Sequence, residues 1–258
     1  MDREVILDRL KSSDMVLVGI GEVFDGTKRL QQSERYLAGC EMLREADLAW
    51  MLPGWREYCL KRLHDDTIDR ALESLRNLLE GKNYFAVSVA TNQIIDRKLR
   101  AVMPCGSVRR KQCPDGCDGR PLEVTAREEE RLEEAFFALW EGHKPRDEHW
   151  LGVCEQCGGA YVFNTIYSEY YDENGYLEQW KLYMKWLEGT LHHKLFILEL
   201  GVGMKFPSVV RWPFERTAFL NQKAFLCRVN ENLYHLTPET AQKGCGISED
   251  AVDWIARL

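Results

Sequence analysis

Four of the chain's nine cysteines fall in two close pairs, Cys113/Cys117 and Cys154/Cys157. Four thiolates satisfy a tetrahedral Zn2+ with no position left open, so such a site is structural and implies no zinc chemistry. Cys154-Glu155-Gln156-Cys157-Gly158-Gly159 has the form of a metal knuckle, with glycines that let amides turn toward sulfur. Cys113-Pro114-Asp115-Gly116-Cys117 is one residue longer. The 37 positions from Cys117 to Cys154 leave room for an inserted helix. The other cysteines, at 40, 59, 105, 227 and 245, are scattered. Paired cysteines in a chain without a secretion signal point to metal before disulfide. Metal-free buried thiols are the plain alternative.

A second chemistry is written in glycine. Gly19-Ile20-Gly21 follows the apolar run Met15-Val16-Leu17-Val18, and Gly201-Val202-Gly203 follows Leu195 to Leu200. Glycine turns at strand ends let backbone amides approach a diphosphate with no Cβ in the way. The first turn is half of a GxGxxG fingerprint, because position 24 is Phe24. A tight strand-to-helix turn without ligand explains either one alone. Two in one sheet favour a dinucleotide across the switch point. Asn92 and Asn230 end two further apolar runs. The six histidines make no metal or triad pattern and read as surface or capping residues. Arg127 to Glu134 reads as the solvated face of a helix, and Trp180, Tyr183 and Trp186 as core or lobe interface.

The elements that must position these residues alternate. Apolar strands are expected at 15–18, 84–89, 195–200 and 224–229. Helices are expected at 3–12, across 33–80 with a break at Pro53-Gly54, between the cysteine pairs, at 177–191, and from Ser248 as N-cap. The segment Trp55 to Leu79 carries apolar residues at three- and four-residue spacing. Strands apolar along their whole length, separated by helices, mean an α/β fold with a parallel sheet covered on both faces. Ligands of such sheets sit beyond the carboxyl ends of the strands. With 258 residues and 45% hydrophobic residues the chain has material for a real core. A net charge of −7 argues against a nucleic-acid partner. No run approaches a membrane span, and the charged N-terminus has no signal core, so the expected compartment is the cytoplasm.

The order of these features resembles the sirtuins over nearly the whole chain. Met103-Pro104-Cys105-Gly106-Ser107, running into Cys113-Pro114, is similar to the sirtuin segment from the catalytic histidine to the first zinc knuckle. Glu199-Leu200-Gly201-Val202-Gly203, followed by Pro207 and Pro213-Phe214, resembles the bacterial macrodomain-linked sirtuins, in which Gly-Val-Gly replaces Gly-Thr-Ser. The resemblance implies a Rossmann-like doubly wound parallel sheet (1–30, 81–112 and 192–258) with a smaller inserted lobe, helical at 31–80 and zinc-binding at 113–165. It implies NAD as cofactor, held by Gly19, Ile20 and Gly21 at the diphosphate and by Gly201, Val202, Gly203 and Met204 on the adenosine side. Asn230 would then reach the adenosine ribose, Cys245-Gly246 would lie against adenine, and Asn92 beside the nicotinamide ribose. Cys113, Cys117, Cys154 and Cys157 would bind zinc.

The departures from the family pattern bear on activity. The general-base histidine of deacylating sirtuins falls on Cys105. The usual Thr-Gln-Asn-Ile-Asp is Ala90-Thr91-Asn92-Gln93-Ile94, which puts Ile94 at the nicotinamide-contacting aspartate unless a one-residue shift recruits Asp96. The later Asp-Phe-Arg is missing. A cysteine with pKa ~8.5 is mostly thiol at pH 7 and a poor base. Transfer of ADP-ribose needs less, because the C–N bond breaks through a cationic sugar. The expected activity is therefore mono-ADP-ribosyl transfer to a protein, with lysine deacylation as the alternative and an inactive NAD or ADP-ribose sensor as the non-enzyme reading. The partner would be a protein bearing a modified lysine or a lipoyl-type carrier.

Overall fold

The computed structural model describes residues 2–117, 119–145 and 149–258. Six parallel strands build the main sheet: β1 (Met15–Ile20), β2 (Asn83–Ser88), β3 (Ala101–Val102), β7 (Leu195–Leu200), β8 (Phe225–Val229) and β9 (Gly244–Ile247). Their order is β3-β2-β1-β7-β8-β9. The chain thus winds outward from β1 in one direction, then returns to β1's other edge. The switch point lies between β1 and β7, which pair from Met15↔Leu195 to Ile20↔Leu200. All six residues of each of these two strands are buried, as two-sided cover requires.

A second sheet is antiparallel and has three strands, β4 (Gly106–Gln112), β5 (Leu122–Glu123) and β6 (Val162–Thr165), in the order β5-β4-β6. Gly106–Gln112 therefore pairs away from the main sheet. The two cysteine pairs lie between β4 and β6 along the chain, with β5 and α7 (Ala126–Trp140) between the pairs. The α7 start is a capping box, in which the Thr125 and Glu128 side chains each bond the other's backbone.

The helical stretch resolves into α3 (Glu34–Glu45), α4 (Leu52–Arg62) and α5 (Thr67–Leu78). Pro53 sits in the first turn of α4, where its missing N–H costs nothing, so it starts a helix where a break was expected. The break the sequence reading missed comes at His64, whose φ is +57°, with the Asp65 carboxylate accepting the Thr67 amide at 3.0 Å. Helix α8 (Asn174–Glu188) lays Tyr183 and Trp186 against Phe85 of β2, at ring separations of 5.5 and 6.0 Å. The last helix, α11 (Ala251–Ala256), is capped by Asp250, which accepts from the Val252 and Asp253 amides. The expected cap, Ser248, instead donates to the Glu231 carbonyl at 3.0 Å.

Candidate nucleotide site and metal centre

The expected site residues gather at the carboxyl ends of β2, β1, β7 and β8. Gly21 is the first residue past β1, and its amide donates to Leu200 O at 2.8 Å. A Cβ there would stand 2.0 Å from the Gly201 carbonyl oxygen and 2.4 Å from the Val202 amide nitrogen. Gly21 is thus required by the neighbouring backbone, whatever ligand lies above it. Gly201 has φ +61°, a left-handed conformation that suits glycine, and its amide donates to Val229 O at 2.8 Å. Asn230 then ties the next loop back, with Nδ2 donating to Val202 O at 3.1 Å and Oδ1 accepting from the Asn232 and Leu233 amides. The two glycine turns and Asn230 form one connected backbone surface at the switch point.

Other expected residues stand differently. Strand β1 runs through Gly19 and Ile20, beyond the expected end at Val18. A Cβ on Gly19 would meet Val210 and Phe214 at 2.5 and 2.7 Å, so this glycine serves packing within the strand. Ile20 is fully buried, whereas Met204 is exposed. Cys245 and Gly246 lie inside β9, where Cys245 pairs with Cys227 of β8.

Asn92 caps α6 (Gln93–Lys98): Oδ1 accepts from the Ile94 amide at 3.0 Å and Nδ2 donates to Phe24 O at 3.1 Å. Asp96 of α6 meets Arg109 at 3.5 Å and does not line the cavity beside Asn92. That cavity, about 720 Å3, lies between α4, α5, α6 and α7 and is lined by Glu57, Leu60, Ile68, Asn92, Ile94 and Phe136 among others. Several acids line it, and among them Glu57 accepts from the Gln93 amide at 2.9 Å and from Gln93 Nε2 at 2.6 Å. Burial pushes the Glu57 carboxyl up to about 7.

Cys105 is buried at the entry to β4. Burial first, then the carboxylates of Asp25 and Glu22, push its thiol up to about 12, against a smaller opposite pull from Lys205. Cys105 is therefore a neutral thiol at pH 7.

A buried network that sequence reasoning missed holds these ends together. Asp25 Oδ1 accepts from the Thr91 amide at 2.8 Å and the Thr91 hydroxyl at 3.1 Å. Arg56, projecting from α4, faces Asp25 Oδ2 at 3.6 Å and donates to Thr91 Oγ1 at 3.1 Å and to the Tyr167 hydroxyl at 3.2 Å. Burial opposes the Arg56 charge, but Asp25 and Tyr167 outweigh it and its pKa is raised. A lone arginine among Trp55, Cys59 and Leu60 was the available signal, since a buried cation needs a partner.

The four paired cysteines converge. Their Sγ atoms all lie within 4.8 Å of one another, with Cys113 to Cys157 at 3.5 Å. Zn–S bonds of about 2.3 Å in a tetrahedron put sulfurs about 3.8 Å apart, so the set could hold such an ion. The Asp115 and Gly159 amides donate to Cys113 and Cys157 sulfur at 3.4 Å, as knuckle turns do.

No family model matches the chain. A protein ADP-ribosyltransferase of Staphylococcus aureus is 22% identical over 266 residues, covering 96% of this chain and 84% of that protein. Among solved structures, a sirtuin studied for substrate affinity superposes with TM-score 0.56 and 15% identity, covering 100% of this chain and 97% of the other. A Sir2 solved with a p53 peptide and NAD+ gives TM-score 0.55 at 15% identity, with the same coverage. With its β1/β7 switch point and inserted four-cysteine lobe, the chain has the sirtuin fold.

Proposed function

We propose that the chain is an NAD-dependent protein mono-ADP-ribosyltransferase that releases nicotinamide. The observation that carries the reading is the Cys105 thiol, held neutral by burial and two carboxylates where a deacylating sirtuin keeps its base. Deacylation needs a group that takes a proton from a ribose hydroxyl near pH 7, and a thiol at about 12 does not do so. In ADP-ribosyl transfer the C1′–N bond breaks and its electron pair leaves with nicotinamide. The acceptor then bonds to C1′ and gives its proton to water. The chain's task is to enclose and orient the sugar. In this reading the Gly21 and Gly201–Gly203 turns face the dinucleotide, Asn92 stands at the nicotinamide ribose, and the acceptor is a protein side chain. The naming of the Staphylococcus aureus relative favours the same chemistry. Cys113, Cys117, Cys154 and Cys157 hold zinc, which supplies only structural cross-linking.

The test compares wild type, Cys105→Ala and Asn92→Ala, each given NAD with an acetyl-lysine peptide and then NAD with candidate acceptor proteins. Mass spectrometry follows nicotinamide and each product. The expected result is no deacetylation by any of the three. ADP-ribosylation should survive Cys105→Ala within a few-fold and fall at least ten-fold in Asn92→Ala. Robust deacetylation lost in Cys105→Ala would make this a deacylase. NAD binding without turnover in either assay would make it a sensor.

A further inference from the structure

The residue after the first glycine turn is Glu22, and its carboxylate lies on the second turn. Glu22 Oε2 accepts the Gly203 amide at 2.9 Å. This amide belongs to the Gly201–Gly203 turn past β7, directly across the β1/β7 switch point. A Cβ on Gly203 would stand 3.2 Å from Oε2, a tight approach that the Glu22 side chain would have to relieve by a small shift. The second oxygen, Oε1, is buried without a hydrogen-bond partner. The nearby buried cation, Arg211, uses Nη2 on Val202 O at 3.3 Å, Leu233 O at 2.7 Å and Glu199 at 3.3 Å. Glu22 thus presents an anion, half satisfied, at the backbone amides that a sheet of this winding offers to a diphosphate.

Resting on the nucleotide reading above, we propose that Glu22 is an internal competitor for the diphosphate seat and sets the site's selectivity among nucleosides and nucleotides. The seat so proposed extends from the Gly21 turn, where the resemblance sets the diphosphate, across the switch point to the Gly203 amide; a diphosphate cannot use that amide while Glu22 holds it, and two anions in one partly desolvated seat repel. Binding therefore requires Glu22 to swing away. A ligand with no phosphate, such as adenosine, leaves the contact intact. The buried, unpartnered Oε1 marks the contact as one that can be given up, because one carboxylate oxygen gains water when the side chain leaves.

Calorimetric titration of wild type, Glu22→Gln and Glu22→Ala with ADP-ribose and with adenosine tests this. Gln keeps an acceptor for the Gly203 amide but removes the charge; Ala removes both. ADP-ribose should bind Glu22→Gln several-fold and Glu22→Ala at least ten-fold more tightly than wild type. Adenosine affinity should stay within two-fold. Equal or weaker ADP-ribose binding by the variants would overturn the competitor role while leaving the nucleotide site standing. An equal gain for adenosine would overturn it as well, since the effect would then be general loosening. No binding of either ligand to any of the three proteins would overturn both this role and the nucleotide reading. Melting curves without ligand establish that each variant is folded.

Discussion

Gly21 shows how one residue can be legible in position while a packing reason for it stays hidden until the fold is seen. A glycine turn past the first strand suggests open space kept for phosphate. The structure adds a second reason for the glycine: the Gly201 carbonyl stands 2.0 Å from where a Cβ would go. Both glycine turns are needed for the two loops to pass each other at the switch point, before any ligand is considered. Gly21→Ala should therefore destabilise the unliganded protein by about 1–3 kcal/mol or more, as overpacked core substitutions do. Chemical denaturation of the variant reads this directly, and an unchanged midpoint would return Gly21 to a purely ligand-facing role. Cys105 was legible in the opposite way. Its residue type alone argued against a base, and its burial and acidic neighbours extend that argument. Glu22, Asp25 and Arg56 were not legible, because their roles depend on loops far apart in sequence meeting at one sheet edge.

At the scale of elements, the strands that carried apolar runs were readable, and the short ones were not. β1, β2, β7 and β8 each bury most or all of their residues. By contrast β3 has two residues and β9 reads Gly-Cys-Gly-Ile, so neither has a hydrophobic signature. The small sheet is hidden for a similar reason: Arg109, Arg110 and Lys111 interrupt β4, and it is stabilised by pairing with β6 and by the buried Lys111–Glu128 ion pair at 2.6 Å. Helix α4 illustrates what packing adds to periodicity, since it delivers Arg56 to the strand-end network and Glu57 to the cavity wall. The raised Glu57 pKa has a definite sign for stability. Between its ordinary carboxyl range and about 7, the folded chain binds a proton that the unfolded chain has released, so stability falls as pH rises through that window. Replacing Glu57 by Gln removes this loss. The variant should gain up to about 3 kcal/mol over wild type above pH 8 and little at pH 4.5, from ~1.4 kcal/mol per pH unit. Melting temperatures across pH 4.5–8.5 would show the two curves converging at the acid end; parallel curves would refute the assignment.

For the molecule as a whole, the question is whether the cysteine lobe stands apart. One continuous buried cluster runs from Val16 and Val18 of β1 through Trp55 and Cys59 of α4 to Phe136 of α7, Leu151, Phe163, and the ligand-set members Cys113 and Cys154. Stacking and edge contacts join Trp55, Tyr58, Phe136 and Trp140, and Trp50 meets Trp150 and Phe163, so aromatic rings bridge the helical stretch to the small sheet. The polar side agrees, because Arg56 links α4 to Tyr167 just past β6. A lobe that shares its core with the rest cannot melt alone without opening that core. The packing therefore argues for one transition when metal is lost. Purified chain should carry one zinc, and either a strong chelator or Cys154→Ser should lower a single melting transition by roughly 10 °C or more. That figure follows from several kcal/mol for a structural zinc and about 2–4 °C per kcal/mol in chains of this size. Calorimetry that instead resolved a separate low-temperature transition, with the main one unmoved, would show the cysteine lobe to be energetically independent. A metal analysis without stoichiometric zinc, together with no chelator effect, would show that the sulfurs stabilise the fold only as packed thiols.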